Sequence, residues 1–230
     1  MIKHSPGSPD VVIVTDSLGM PRRDTPFDSV WVGSLIRDFP NLSVVPISRR
    51  AMTIEVAESV IKDVALTYNP RALVIQVGVV DATRRARPLW LVSMVKSLPV
   101  VRPVIHTLAR RYHYRLSKTW EVRHTSLRSF RKALRSIKCS VKCPTLWISI
   151  APPATAFRRQ VYGISEDIER YNRMIKYQAA NALIDYVDPY SIYPPDEVCR
   201  PDDGHHLSHK GHDIVLDAVK KWLKRKLCEA

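Results

Sequence analysis

The sequence predicts an α/β fold, a three-layer αβα sandwich in which a five-stranded parallel sheet lies between two layers of helices. The first observation is a series of short apolar runs, rich in valine and isoleucine and bounded by turn residues. The second is that the segments between these runs carry apolar residues at helical spacing. Strands that alternate with helices are typical of a parallel sheet covered on both faces. The chain of 230 residues is long enough for one well-packed core and shows no repeat or linker, so we expect a single domain over residues 1–230.

Each element has a signal of its own. The predicted strands are Val11–Val14, Leu42–Ile47, Ala72–Val77, Thr145–Ile150 and Ala182–Val187. Thr53 and Ser165 each precede an apolar helical face and are expected to cap those helices, and the last helix is expected to begin near Ser208.

The stretch from about residue 84 to residue 138 differs from the rest of the chain. It is dense in arginine and lysine, and Glu121 is its only acidic residue. We expect a basic helical crossover between the third and fourth strands, in at least two pieces. The first piece has an apolar face of Trp90, Leu91, Met94 and Leu98, and the second has one of Leu127, Phe130, Leu134 and Ile137.

The formal charge of +14 favours acidic partners, such as nucleic acid, an anionic lipid or an anionic glycan. The basic crossover lacks the signature of a nucleic-acid module, so specific nucleic-acid binding is not expected. A solvated helical face or a peripheral contact with a membrane surface is expected instead. The four cysteines, Cys139, Cys143, Cys199 and Cys228, lack the paired spacing of a zinc site and are expected to be reduced thiols. No apolar segment near the N-terminus predicts a signal peptide and no run is long enough to span a bilayer, so a cytoplasmic protein is expected.

Polar residues follow the first strand at the point where open α/β sheets bind their ligands. The run Thr15-Asp16-Ser17-Leu18-Gly19 places a serine at this edge. Such a serine can act as a nucleophile if the chain also supplies a general base.

A candidate base lies before the last helix, between Asp202 and His212. This loop holds two adjacent acids and four histidines. Asp203 and His206 are three residues apart and could serve as orienting carboxylate and base for Ser17. A metal site built from the histidines and acids is a competing interpretation, and a solvated histidine-rich loop is a third. The loop alone leaves the three open.

Together these residues resemble the SGNH/GDSL hydrolase superfamily, whose fold is flavodoxin-like. Residues 15–18 match its Gly-Asp-Ser-Leu block except at the first position, and residues 78–81 match part of its Gly-x-Asn-Asp block. Residues 203–206 match its Asp-x-x-His block, and the continuation to Gly211 selects Asp203 and His206 rather than Asp202 and His205. The resemblance implies a catalytic triad of Ser17, His206 and Asp203, with neither a cofactor nor a metal.

The chain departs from this pattern at the oxyanion hole. The glycine expected after the second strand is missing from residues 48–52, and Val80 stands where the family has asparagine. The resemblance therefore leaves backbone N–H groups of Ser17 and of the Ser48 loop, and residues of the third block, as candidate oxyanion and substrate contacts. The candidates are Ser48, Gly78, Asp81, Arg84 and Arg85. Arg84 or Arg85 could replace the asparagine or bind an anionic substrate group.

The sequence Gly78-Val79-Val80-Asp81 followed by two arginines is similar to a Gly-Ile-Val-Asp branch often linked to polysaccharide biosynthesis. The resemblance implies a serine-dependent esterase, deacetylase or acyltransferase that acts on an acylated small molecule or carbohydrate, which can be neutral or anionic. The alternative is a catalytically weakened binding protein with a basic surface for an anionic glycan, lipid or nucleic acid.

Overall fold

A computed structural model describes residues 7–86, 107, 111–179 and 183–228. Its centre is a parallel sheet of five strands in the order β2-β1-β3-β4-β5. The strands are β1 (Val11–Thr15), β2 (Val44–Ser48), β3 (Ala72–Gln76), β4 (Thr145–Ile148) and β5 (Ile184–Val187). All residues of β1, β3 and β4 are buried, as expected for strands with helices on both faces. The predicted three-layer fold is confirmed.

Nine α-helices occur within the described residues. They are α1 (Trp31–Asp38), α2 (Ile54–Asp63), α3 (Val79–Ala82), α4 (His113–Trp120), α5 (Leu127–Ser140), α6 (Thr155–Gln160), α7 (Ile164–Ala179), α8 (Pro195–Val198) and α9 (His209–Leu223). The second predicted piece of the basic crossover is α5, and the first piece, around Trp90, lies outside the described residues. In the described part of the chain, no helix has the length and apolar character needed to cross a membrane.

Two hydrophobic clusters cover opposite faces of the sheet. One face carries the apolar sides of α2, α5 and α7, whose contacts include Ile61, Phe130 and Tyr171. The other carries α1 and α9, with Trp31 and Trp222 buried among them. Because odd and even residues of a strand point to opposite faces, Ile13 and Val14 belong to different clusters.

Two of the predicted helix caps are wrong. The side chain of Thr53 makes no capping hydrogen bond, and Ser165 lies inside α7, which begins one residue earlier at Ile164. Ser208 does cap α9, because its Oγ accepts a hydrogen bond of 3.0 Å from the N–H of Gly211. The N–H of Ile54, in the first turn of α2, donates instead to the carboxyl group of Asp81, which follows β3 in the chain.

Candidate active site

Ser17 lies in a tight turn at the carboxyl edge of the sheet. β1 ends at Thr15, and a 3₁₀ turn over Ser17–Gly19 follows at once. The turn is capped by Asp16, whose Oδ1 accepts a hydrogen bond of 2.9 Å from the N–H of Leu18. A Cβ on Gly19 would lie 2.2 Å from Cγ2 of Thr15, so this turn requires glycine at its third position.

The loop before α9 is held by its own backbone. The N–H of Gly204 donates to the carbonyl of Arg200, and the N–H of Arg200 donates to the carbonyl of His206, both at 2.8 Å. Gly204 has φ = 70°, and a Cβ there would lie 2.4 Å from the backbone nitrogen of Phe157. The glycine therefore lets the loop turn back against α6 and present His206 toward β1.

The structure brings Ser17, His206 and Asp203 together. Oγ of Ser17 lies 3.1 Å from Nε2 of His206, and Nδ1 of the same ring lies 2.8 Å from Oδ2 of Asp203. These are hydrogen-bonding distances for a nucleophile, a base and the group that orients the base. Ser17 is partly exposed, so a substrate can reach Oγ.

The charge of Asp203 is stabilised within the loop. Burial alone would raise the pKa of its carboxyl group. Hydrogen bonds from the side chain of His206 and from the backbone N–H groups of His206 and His205 outweigh that effect and hold the pKa of Asp203 well below its ordinary value of 3.8. An ionised carboxylate at Nδ1 fixes the tautomer in which Nδ1 carries the proton and Nε2 accepts the hydrogen bond from Ser17.

His205 packs against the ring of His206 and is not one of the three residues joined by hydrogen bonds to Ser17 or His206. Its ring centroid lies 4.7 Å from that of Phe157 and 3.9 Å from that of His206. Burial, followed by the proximity of His206, lowers the pKa of His205, so its neutral form is favoured. Asp202 is turned away and binds Arg200, which agrees with the choice of Asp203 and His206 over Asp202 and His205.

One group of three residues in the described part of the chain has the spacing of a metal site. Asp203, His205 and His206 each offer a ligand atom, and these atoms lie within 4.8 Å of one another. However, both nitrogens of His206 are already engaged, one with Asp203 and the other with Ser17. A metal on His206 would have to displace one of these hydrogen bonds.

The oxyanion site differs from the prediction at Ser48. The N–H of Arg49 donates 3.1 Å to the carbonyl of Thr15, so it is occupied within the sheet. Because N–H groups alternate in direction along a strand, the N–H of Ser48 points to the outer edge of the sheet. The structure therefore does not support Ser48 as an oxyanion donor. The N–H of Ser17 opens its 3₁₀ turn and has no acceptor within that turn, which leaves it available.

Ala51 has a conformation that the sequence did not reveal. Its φ is 53°, in the left-handed region that glycine adopts most easily, and it lies in the loop where the superfamily that the sequence resembles has a glycine. An alanine can adopt this conformation at a cost of about 1 kcal/mol. The loop geometry thus requires positive φ even though the glycine is missing.

Gly78 and Asp81 have supporting positions. Gly78 has φ = 130°, and a Cβ there would lie 2.6 Å from Cδ1 of Ile150. Asp81 is fully buried, and its carboxylate accepts hydrogen bonds from the N–H of Ile54 and the hydroxyl of Thr125. The expectation that Asp81 contacts substrate is therefore wrong, because none of its side chain is exposed.

Two buried carboxylates lie behind Ser17. Burial raises the pKa of Asp16 to about 7, although the N–H of Leu18 opposes this effect, and the nearby charge of Asp81 raises it further. Burial likewise raises the pKa of Asp81 to about 7, against the hydrogen bonds from Thr125 and Ile54. Oδ2 of Asp16 is buried without a hydrogen-bond partner in the described part of the chain.

Neither Arg84 nor Arg85 contacts Ser17 or His206. Nε of Arg84 donates 2.6 Å to Oδ2 of Asp167, and its Nη1 lies 3.3 Å from Oε1 of Glu121. Nη2 of Arg85 donates to the carbonyl of His124 at 3.4 Å. The prediction that one of them replaces the oxyanion asparagine has no supporting contact.

Comparison with solved structures shows lipases and esterases of the same architecture. A lipase/acylhydrolase from Enterococcus faecalis matches with a TM-score of 0.63 and 17% identity, over 94% of this chain and 96% of that chain. An acetyl xylan esterase from Geobacillus stearothermophilus matches with a TM-score of 0.60 and 16% identity, over 95% and 94%. A GDSL-like lipase from Bacteroides thetaiotaomicron matches with a TM-score of 0.58 and 15% identity, over 94% and 88%.

The chain has the SGNH/GDSL hydrolase fold. The fold inferred from the three sequence blocks is therefore confirmed. No protein-family model and no curated protein matches the sequence. The narrower resemblance to a Gly-Ile-Val-Asp branch of the SGNH/GDSL fold stays a prediction.

Proposed function

We propose that the protein is a serine-dependent esterase that uses Ser17, His206 and Asp203. The observation that carries the proposal is the continuous chain from Oγ of Ser17 to Nε2 of His206 at 3.1 Å, and from Nδ1 of His206 to Oδ2 of Asp203 at 2.8 Å. The fold supports it, since its solved neighbours include an acylhydrolase and acetylxylan esterases. One neighbour with a serine replaced by alanine is described as a catalytic mutant.

The reaction follows from the positions of these groups. Oγ of Ser17 attacks the ester carbonyl while Nε2 of His206 takes its proton, and the N–H of Ser17 binds the oxyanion. His206 then gives the proton to the departing alcohol, which leaves an acyl group on Ser17. Water attacks this acyl-enzyme with His206 as base and releases the acid. An acceptor alcohol in place of water would make the same enzyme an O-acyltransferase.

We propose an acylated carbohydrate as the substrate, in line with the acetylxylan esterases among the neighbours. A peripheral contact with an anionic membrane belongs to the same proposal, since Arg111, Arg115 and Arg128 are exposed in the described part of the crossover. Co-sedimentation with vesicles containing phosphatidylserine, at low and high salt, tests this contact. Binding that salt does not weaken would contradict an electrostatic contact.

The activity is tested with p-nitrophenyl acetate and with a fluorophosphonate that labels nucleophilic serines. We expect hydrolysis and labelling by the native protein, loss of both in Ser17→Ala, and no change in the control Ser191→Ala, whose serine is exposed on another loop. The alternative of a catalytically weakened binding protein is favoured by Val80, which cannot donate a hydrogen bond to an oxyanion. Absence of both hydrolysis and labelling in the native protein would establish that alternative.

A further inference from the structure

A cavity of about 490 Å³ opens beside α6, and no residue of the triad lines it. Four arginines and two tyrosines dominate its wall, together with two glutamates. We call it the arginine cavity, and these residues are Arg84, Arg123, Arg158, Arg170, Tyr114, Tyr162, Glu121 and Glu166.

One carboxylate beneath the cavity is shared by three guanidinium groups. Asp167 is fully buried, and its Oδ2 accepts from Nε of Arg84 at 2.6 Å. Its Oδ1 accepts from Nη2 of Arg123 and lies 3.7 Å from Nη1 of Arg170. A guanidinium has five N–H donors, so a single carboxylate cannot satisfy three of these groups. Nε of Arg123 is one donor that is buried with no partner in the described part of the chain.

Arg84 is held in a fixed orientation at this wall. Its Cζ lies 5.2 Å from the centroid of the Tyr162 ring, and the side chain is almost fully buried. Gly163 has φ = 67°, and a Cβ there would lie 2.5 Å from Nη2 of Arg84. Glycine at position 163 therefore admits the guanidinium. The N–H of Tyr162 donates 3.1 Å to Oγ of Ser117, which fixes the tyrosine in turn.

The charges around the cavity do not cancel. Lys118 lies over the ring of Tyr162, outside the lining of the cavity, and adds to the four arginines. These five cations are opposed by the carboxylates of Asp167, Glu121, Glu166 and Asp196, the last of which lies 3.8 Å from Nη2 of Arg158. The side chain of Glu121 is 63% exposed, and an exposed carboxylate offsets little of this charge. A wall with excess positive charge and unused N–H donors fits an oxyanion, either a phosphate or a carboxylate.

The remaining wall suits a sugar ring. Tyr114 meets Tyr162 edge to face with ring centroids 5.7 Å apart, and 43% of Tyr114 is exposed. Helix α6 connects this wall to the catalytic loop, because Phe157 packs on His205 and the next residue, Arg158, lines the cavity.

We propose that the arginine cavity binds an oxyanion carried on a saccharide, and that this saccharide is the acylated substrate of Ser17. The substrate would place its acyl ester at Ser17 while its phosphate or carboxylate lies among the arginines beside α6. This inference rests on the esterase function proposed above, but the binding itself needs no catalysis.

The test measures binding to the full chain carrying Ser17→Ala, by isothermal titration calorimetry at low ionic strength. The probes are glucose 6-phosphate, glucuronate and neutral glucose. We expect one or both anions to bind and glucose not to bind. The better of the two anions identifies the group as phosphate or carboxylate. We expect the double variant Arg158→Gln and Arg170→Gln to weaken binding at least tenfold, because it removes two charged hydrogen-bond donors from the cavity. Both side chains are about half exposed, so they can be replaced without unfolding the protein.

Arg159→Gln is the matched control. It removes the same charge from the neighbouring exposed position of α6, outside the cavity, and should change the dissociation constant less than twofold. Equal binding by the double variant and the control would overturn the proposal, and so would absence of binding by both anions. Failure of the esterase is recognised separately, since p-nitrophenyl acetate carries no anion and does not need the cavity.

Discussion

The N–H of Ile54 donates to both carboxylate oxygens of Asp81, at 3.1 and 3.0 Å, and so joins the first turn of α2 to the segment after β3. The hydroxyl of Thr125 donates to the same carboxylate. One buried side chain thus binds together three segments next to the candidate active site. Its importance is structural, because it satisfies donors that water cannot reach.

Asp81→Ala should lower the free energy of unfolding by about 2–4 kcal/mol, since it leaves a backbone N–H and a hydroxyl buried without acceptors. Urea denaturation measures the loss. Thr53→Ala is the control, because Thr53 is the local residue at the same helix end and makes no capping hydrogen bond. Equal losses in the two variants would contradict the assignment of the cap to Asp81.

Asp203→Asn should lower kcat for p-nitrophenyl acetate by about 10³- to 10⁴-fold, because an amide at this position can favour the wrong tautomer of His206. Asp202→Asn removes the same charge from the adjacent residue, which binds Arg200 rather than the triad, and should stay within about twofold of the native rate. A comparable fall in both variants would mean that the loop charge, not the contact with His206, matters.

The contribution of Asp16 and Asp81 to stability should fall as pH rises from about 4 to about 7, whereas His124 and His212, whose pKa values burial lowers to about 4, contribute a rise over the lower part of this range. In this window folded Asp16 and Asp81, whose pKa values burial raises to about 7, hold protons that the unfolded chain has released. Each group contributes at most about 1.4 kcal/mol per pH unit to this slope, which levels off above about pH 7.

Asp16→Asn keeps an oxygen acceptor for the N–H of Leu18 and removes the titration of Asp16, so the stability of the native protein relative to this variant should fall as pH rises from about 4 to about 7. Thermal or urea unfolding at half-unit pH intervals measures it. Asp63→Asn, at an exposed position, serves as the control and should leave the slope unchanged. A native slope that Asp16→Asn does not alter would show that Asp16 is not the titrating group.

Val80→Asn should raise kcat for p-nitrophenyl acetate about tenfold or more, because an amide N–H can stabilise an oxyanion and valine cannot. Val80 lies in the first turn of α3, directly after the end of β3. Val80→Ala shortens the side chain without adding a donor and should give no such gain. A gain in both variants would point to access rather than to hydrogen bonding.

Hydrolysis should be insensitive to EDTA, because both nitrogens of His206 are engaged in hydrogen bonds with Ser17 and Asp203. The measurement compares initial rates before and after prolonged dialysis against the chelator, with metal content determined by plasma mass spectrometry. A stoichiometric metal that restores lost activity would favour the site formed by Asp203, His205 and His206.

The layers of the fold could be predicted because their signals are local. Buried parallel strands have apolar runs in their sequences, and a helix such as α5 has apolar residues on one face of an otherwise charged segment. Ser17, Asp203 and His206 could be chosen as candidates because the order of the three blocks resembles that of a known superfamily. The residues between Asp202 and His212 alone left the choice of carboxylate and histidine open.

The supporting contacts could not be predicted, because they join distant positions. Arg84 and Asp167 are 83 residues apart, and Ile54 and Asp81 are 27 apart. No periodicity links such pairs, so the sequence predicts Arg84 as a candidate for the oxyanion site and Thr53 as the cap of α2. The positive φ of Ala51 could not be predicted for another reason: a glycine at this position would have indicated a left-handed backbone, and an alanine does not.

Pro46 in β2 bears on how copies of the protein behave in crowded solution. β2 is an edge strand, and Pro46 lies opposite Ile13. Since the N–H of Arg49 faces β1, the alternation of the strand turns position 46 to the outside, where proline offers no donor. A strand from another molecule would meet a gap in the middle of this edge. The proline therefore protects the sheet against growth into aggregates from this side.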